Sequence, residues 1–225
     1  MRIQIETLYT LDAADRLVRV NEPNGKPAPR FFLGRTVEGK VWRFRNDLEP
    51  EVVAELEAAC MEETDGNEFL DSPYGATRYH EVLARSAPIT KTWAGPAYTF
   101  PDTLADTPDA IRITEANVER LATPLAPWSE DVAMGRLLIG VMHEGEIVSV
   151  CGSVRTTSTA HEAGVETAAP LRGRGFAVQP VRAWARAVRE MNCIPIYSTS
   201  WDNLSSRALA EKLGLIRFGT DLHIT

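Results

Sequence analysis

Along the second half of the chain the apolar positions change period in a regular order. The run Ala163 to Ala168 reads as a strand, and Val181, Trp184, Ala185 and Val188 recur at helical spacing within Val181–Met191. A second short β-type run, Ile194-Pro-Ile-Tyr197-Ser-Thr-Ser-Trp201, follows. In the first half, Arg16 to Val20 is strand-like. Phe31 to Arg45 reads as a hairpin turning at Glu38-Gly39, with Trp42 and Phe44 on one face. Pro50, between Glu49 and Glu51, suits a first helical turn, and Val52, Val53, Leu56, Ala59 and Cys60 then form an apolar helical face. Thr64 to Ala76, rich in Gly, Asp and Pro, reads as a loop, and Tyr79 to Arg85 as a short helix. The stretch Pro101 to Asp109, with two prolines and three aspartates, is the best boundary.

Between the Ala163–Ala168 strand and its helix lies Arg172-Gly173-Arg174-Gly175-Phe176-Ala177. Two glycines allow a tight turn with uncovered N–H groups, and two arginines add positive charge. Such a turn at a helix N-terminus is an anion site, because unpaired amides and the positive end of the helix dipole converge there. It is not a P-loop, since no Lys follows the glycines. It is not a dinucleotide fingerprint either: Val178 stands where the third Gly would be, and no acidic residue lies near position 193 to hold a ribose.

What remains is Arg-x-x-Gly-x-Ala, formed by Arg172, Gly175 and Ala177. It resembles the pyrophosphate-binding motif of the GNAT superfamily of N-acetyltransferases. Three further stretches carry the resemblance. Glu162 to Gly175 looks like the fourth strand of that fold running into its loop. Asn203 to Leu215 looks like its last motif helix, with Ser206, Gly214 and Leu215 at the family's spacing. Leu137–Val141 and Ile147–Val154 flank His143-Glu-Gly-Glu146 as the hairpin expected before strand four. Ile111 to Glu115 would be the first strand, and Asn117 to Trp128 the first helical region, kept short by Pro124 and Pro127.

The resemblance covers residues 111–225 and implies an α/β fold with a mixed sheet, preceded by a β/α region. The expected domains are 1–100, accessory in role or a degenerate second copy of the fold, a linker at 101–110, and an acetyltransferase domain at 111–225. It also implies that strands four and five splay to admit acetyl-CoA as donor substrate. The amides of Gly173, Arg174, Gly175, Phe176 and Ala177 would then hold pyrophosphate, with Arg172 and Arg174 available to add charge. The backbone of Val165 to Ala168 would pair with the pantetheine arm, and the N–H of Thr167 or Val165 would polarise the thioester carbonyl. By the same resemblance Asn203 contacts the cofactor while capping the helix.

Acetyl transfer to an amine needs a base to collect a proton, and an acid can help the thiolate leave. Glu166, on the strand in an otherwise uncharged run, is the leading base candidate, because burial there favours a neutral carboxyl. His161, at an expected exposed strand start, is the substitute. The chain departs from the family at the acid: the Tyr common about seven residues after the motif Asn is Ala210 here. Tyr197 is the nearest substitute, with the hydroxyls of Ser198 and Ser200 behind it. Pro180 also sits inside the expected helix, where it would force a kink or a restart near Gln179.

Composition narrows the classes further. Hydrophobic residues make up 44% and charged residues 24% of 225 positions, as in a soluble globular protein, and no apolar run approaches a membrane span. Three widely spaced cysteines and four scattered histidines suggest neither a disulfide framework nor a metal site, hence a reduced, cytoplasmic protein. Residues 111–225 hold 12 basic and 12 acidic side chains, so the net charge of −7 sits in the first 110. That acidity argues against nucleic acid as a partner. The expected partner is a small-molecule primary amine, and a homodimer is compatible with the chain. The competing function class is a non-catalytic acyl-CoA-binding module.

Overall fold

The computed structural model describes residues 1–63 and 77–225, so the Thr64–Ala76 loop reading lies outside the described residues. The first elements in chain order are α1 (Arg2–Leu8), β1 (Tyr9–Leu11), β2 (Leu17–Val20), β3 (Phe31–Thr36), β4 (Gly39–Phe44), α2 (Pro50–Glu62), α3 (Thr77–Ser86) and β5 (Thr92–Thr99). Then come β6 (Ala110–Arg112), α4 (Ser129–Ala133), β7 (Leu138–His143), β8 (Glu146–Thr156), β9 (Ala160–Thr167), α5 (Val178–Glu190), β10 (Ile194–Ser198), α6 (Leu204–Leu213) and β11 (Ile216–Ile224). They gather into two compact units. The first is Met1–Tyr98 with Ser198–Asn203 and Arg217–Thr225; the second is Thr99–Tyr197 with Leu204–Ile216.

In the first unit β11 returns from the end of the chain to pair antiparallel with β3, which pairs in turn with β4. This central position explains why Phe31, Phe32 and Leu33 are all fully buried despite alternating between faces. On one face Phe31 and Leu33 meet Leu56 of α2, Leu83 of α3, and Leu222 and Ile224. On the other, Phe32 meets Ile5 and Leu8 of α1 and Leu17. Pro50 opens α2 with Glu49 as its N-cap and Glu51 in the first turn, as the sequence predicts. The buried carboxylate of Asp221 accepts 2.7 Å from Gln4 Nε2, and the Tyr9 hydroxyl meets His223 Nδ1 at 2.8 Å.

In the second unit the sheet runs β6-β7-β8-β9-β10. The first four strands are antiparallel and β10 is parallel to β9, the crossover being α5. The predicted hairpin of residues 137–154 is β7–β8, closed by Glu144-Gly145 with positive φ at both. The fully buried Val181, Trp184, Ala185 and Val188 show that α5 covers the sheet with the face its periodicity predicts. Ile113, Leu125, Leu138, Ile147 and Val150 form a separate core cluster. The prolines at 124 and 127 hold Thr123–Trp128 to a 3₁₀ turn, followed by the single turn of α4.

Two expectations need correction. The expected interior position of Pro180 is not what is found, although the helix start lies beside Gln179 as expected: α5 begins at Val178, so Pro180 is its third residue, where a backbone N–H has no intrahelical acceptor to lose. Residues 101–110 fall within the second unit and run along α5. Arg189 donates to the carbonyls of Phe100 (2.9 Å) and Asp102 (3.0 Å), and Arg186 to that of Ala105 (3.1 Å). A stretch with little to bury is thus held by its backbone carbonyls, a bond type that side-chain patterns do not reveal.

Candidate active site

The site begins where β9 and β10 part. Their register covers Ile194↔Ala160, Pro195↔His161 and Ile196↔Glu162, and stops there, although β9 continues to Thr167. On its other edge β9 stays paired with β8 as far as Thr167↔Ser149. The N–H of Ala168 donates to Val148 O at 2.9 Å. By the alternation of an antiparallel ladder, Glu166 and Gly164 also face β8 with their backbone groups, whereas Ala163, Val165 and Thr167 turn theirs away. Beyond Glu162 no residue of β10 is in register to meet them. The N–H groups of Val165 and Thr167 therefore line an open strand edge.

At the end of that edge sits the glycine loop. Ala169–Leu171 form one 3₁₀ turn after Ala168, then Gly173 (φ +75°) and Gly175 (φ +88°) take backbone conformations closed to most side chains. Val178 N–H bonds Gly175 O (3.2 Å), starting α5. Among the described hydrogen bonds, none uses the N–H of Gly173, Arg174, Gly175, Phe176 or Ala177. With no side chain capping the helix and no acidic residue in its first turn, these amides and the helix dipole form an uncancelled positive field. Arg172 Nε donates to Thr167 O at 3.0 Å, tying the loop to the end of β9, while Arg174 is exposed beside the Phe176 ring. Sequence reasoning missed one cation: a Cβ on Gly175 would stand 3.2 Å from Lys212 Nζ, in the last turn of α6. Only the packing of α6 brings Lys212 to the loop, so the motif spacing gave no signal for it.

Glu166 lies half-buried on the face of β9 turned away from α5, where its Oε2 accepts 2.8 Å from Trp128 Nε1. The indole lies against Gly152 and Gly164, neighbours across β8 and β9; a Cβ on either would approach the ring to 2.7 and 2.9 Å. Two adjacent glycines thus make the floor on which Trp128 rests, and Trp128 orients the carboxylate. The Thr167 hydroxyl is bonded to Ser149 Oγ at 2.7 Å, and Ala168 is buried. Tyr197 is buried, its hydroxyl 2.6 Å from Ser206 Oγ on α6. Ala210, where the family's Tyr would stand, is fully buried. Asn203 directly precedes α6 and is exposed. Glu166 and Tyr197 are thus each committed to a different neighbour, Trp128 and Ser206.

His161 is not at an exposed strand start. It is buried, its Nδ1 2.9 Å from Ser153 Oγ, which accepts 3.0 Å from Trp184 Nε1. Desolvation lowers its pKa below 6.5. It is a neutral core histidine under α5. Among the described residues no group of three or more His, Cys, Asp or Glu gathers for a metal, and no helix is long and apolar enough to cross a membrane.

Comparison with known proteins agrees with this geometry. Residues 137–219 match the family model described as GNAT acetyltransferase. That stretch, most of it in the second unit, is similar to a GNAT acetyltransferase domain. The match runs from the residue before β7 into β11 and so includes the loop and α6. No curated protein sequence matches the chain. Among solved structures, a GNAT-family protein from Novosphingobium aromaticivorans is similar at 21% identity with a TM-score of 0.50, over 61% of this chain and 66%, just under two thirds, of that one. A GNAT-family acetyltransferase from Colwellia psychrerythraea aligns at 12% identity over 82% of this chain and 75% of its own (TM-score 0.52). A GCN5-related N-acetyltransferase-like protein from Streptococcus suis aligns at 17% over 89% and 85% (TM-score 0.51). At these identities the likeness speaks to the fold alone, a mixed α/β GNAT fold.

Proposed function

We propose that the chain transfers an acetyl group from acetyl-CoA to a primary amine of a small-molecule acceptor, by direct attack with both substrates bound. The observation that carries this reading is the open edge of β9 ending in a loop of unpaired amides. An extended pantetheine arm pairs with the Val165–Ala168 edge as an added strand, and the pyrophosphate rests on the amides of Gly173–Ala177, near Lys212. Arg172 holds the loop in place through Thr167 O.

In the reaction the neutral amine attacks the thioester carbonyl. A C–N bond forms, the C–S bond breaks, and the N–H of Val165 or Thr167 stabilises the oxygen that gains charge. Glu166, aimed by Trp128, receives the proton that the amine sheds. The thiolate leaves unaided or takes a proton from Tyr197, since a thiol pKa near 8.5 makes it a tolerable leaving group.

The second reading, an acyl-CoA-binding module without turnover, is favoured by Ala210 in place of the family's phenol and by the bond of Tyr197 to Ser206. Calorimetric titration with acetyl-CoA, with NAD and ATP as controls, followed by an amine screen for thiol release, separates the outcomes. Selective acetyl-CoA binding with amine-dependent thiol release supports the enzyme, and binding without release supports the module. No binding of any acyl-CoA removes both.

A further inference from the structure

Beneath α1 the first unit buries a polar group that the reaction does not use. Asp221 and His223, two residues apart on β11, face the same side of the sheet, the side that carries Phe32 and is covered by α1. Gln4 of α1 meets them there, its Nε2 2.7 Å from Asp221 Oδ2. Gln4 and Asp221 are each 1% exposed. Among the described residues, three atoms of this group are closed to solvent and meet no hydrogen-bond partner: Gln4 Oε1, Asp221 Oδ1 and His223 Nε2. Buried polar atoms without partners are rare and costly, so three on adjoining side chains point to an occupant.

We propose that Gln4, Asp221 and His223 form a binding site for a divalent transition metal such as zinc. The spacing fits such an ion. His223 Nε2 stands 3.4 Å from Asp221 Oδ2 without a hydrogen bond between them. Two ligands held tetrahedrally at about 2.0–2.1 Å from one zinc ion lie roughly 3.3–3.4 Å apart. The imidazole is also held as a ligand must be. Its ring stacks on Trp93 (centroids 4.6 Å apart) and leans on Phe32 (4.9 Å), and its Nδ1 is 2.8 Å from the Tyr9 hydroxyl. With Nδ1–H donating to the Tyr9 oxygen, Nε2 presents a lone pair to a carboxylate, an arrangement that a cation between them makes favourable. Gln4 Oε1 is the third donor, an amide oxygen in place of a third acidic or imidazole group. One nitrogen among oxygen donors suits zinc and its neighbours better than calcium or magnesium, which take oxygen alone. The His223 side chain is 15% exposed, so the edge of its ring gives the ion a way in. Bound there, the metal ties α1 to β11, a structural role that does not depend on the acyl-CoA reading.

Calorimetric titration of the full, tag-free chain with zinc, after treatment with a chelator, tests the site, and melting curves are recorded in parallel. The wild-type chain binds one zinc ion and melts at a higher temperature when it is bound. His223→Phe keeps an aromatic ring between Trp93 and Phe32 but removes the nitrogen, and Asp221→Asn removes the charge; each abolishes both the binding and the thermal shift. Tyr9→Phe leaves every ligand in place and removes only the partner of Nδ1, so zinc affinity falls about 10–100-fold. A wild-type chain that binds neither zinc, cobalt nor manganese overturns the proposal and leaves His223 and Asp221 as an ion pair. Zinc bound as tightly by folded His223→Phe or Asp221→Asn also overturns it, since the ion then sits elsewhere. Should both of those variants fail to fold, Tyr9→Phe decides, and an affinity equal to that of the wild type refutes the site.

Discussion

Gly175→Ala separates the backbone role of the glycine loop from its role as an anion cradle. Gly175 has φ +88°, and an alanine held there costs about 1–2 kcal/mol, because Cβ crowds the following carbonyl in left-handed backbone. Its new methyl would also stand 3.2 Å from Lys212 Nζ, inside the concavity that the amides line. The ammonium ends a flexible side chain and can retreat, but retreat takes a positive charge away from the anion position. Gly173→Ala is the matched control. At φ +75° it carries the same backbone cost, yet its methyl meets nothing within 4 Å. Both variants should therefore melt roughly 2–8 °C below wild type, at about 2–4 °C per kcal/mol for a chain of this size.

Acetyl-CoA affinity should divide them. Gly173→Ala loses only what loop strain removes, whereas Gly175→Ala adds displacement of Lys212 and a methyl against the pyrophosphate. The difference expected is roughly tenfold, or about 1.4 kcal/mol, in calorimetric Kd. Measured together, melting and titration make the reasoning refutable. If Gly175→Ala is destabilised like Gly173→Ala but binds acetyl-CoA as the wild type does, the loop amides do not hold the pyrophosphate. If neither variant is destabilised, the loop does not need left-handed backbone at these positions.

Glu166→Gln keeps an oxygen for Trp128 Nε1 to bond, so fold and acetyl-CoA affinity should hold while kcat falls about 10²–10⁴-fold; an unchanged rate with a responsive amine would remove Glu166 as base. Tyr197→Phe deletes the hydroxyl bonded to Ser206. If the phenol is only a tie, melting should drop by a shift equivalent to about 1 kcal/mol with kcat little changed, whereas a fall in kcat beyond tenfold would make it the acid. His161 is held neutral by desolvation, so the unfolded chain binds the extra proton first. Its contribution to stability is full above the unfolded value of 6.5 and is lost as pH falls below it, and His161→Gln should flatten the decline in melting temperature between pH 7 and 5. Burial pushes the Cys60 thiol up to about 12 and Cys151 well above the usual range, so alkylation of the native protein at pH 8 should mark Cys193 alone; a second modified cysteine would contradict the packing around the other two.

The parts legible in the sequence were those with local causes. Helical spacing located the buried face of α5, a Glu-Gly pair marked the β7–β8 turn, and glycines at fixed offsets marked a loop that needs positive φ. The parts that were not legible depend on distant partners. Nothing around Trp128 announces that its indole will lie on Gly152 and Gly164, 24 and 36 residues on, and reach Glu166. Lys212 reads as a basic residue in a helix's last turn until α6 packs and brings it to Gly175. His161 misled for the same reason. Its exposure depends on α5 lying over it, and the Trp184–Ser153–His161 chain spans two strands and a helix. The return of β11 to β3 joins residues nearly two hundred positions apart, a pairing that local periodicity does not specify.

The missing phenol is explained by where Ala210 points. The position is fully buried, as is Leu213, so the α6 face that bears Ala210 is turned into the core. A tyrosine there would need room that packed side chains occupy, and overpacking costs about 1–3 kcal/mol. Within this unit α6 instead presents Ser206 to Tyr197 and Lys212 to the loop, so its contribution to the site is one hydroxyl tie and one cation. On the proposed reading a cation near the pyrophosphate would hold the donor but could not reprotonate a thiolate at the far end of the pantetheine arm. If the chain is the acetyltransferase proposed above, catalysis rests on the β9 edge, with backbone N–H groups at the thioester oxygen and Glu166 as base, rather than on a general acid from α6.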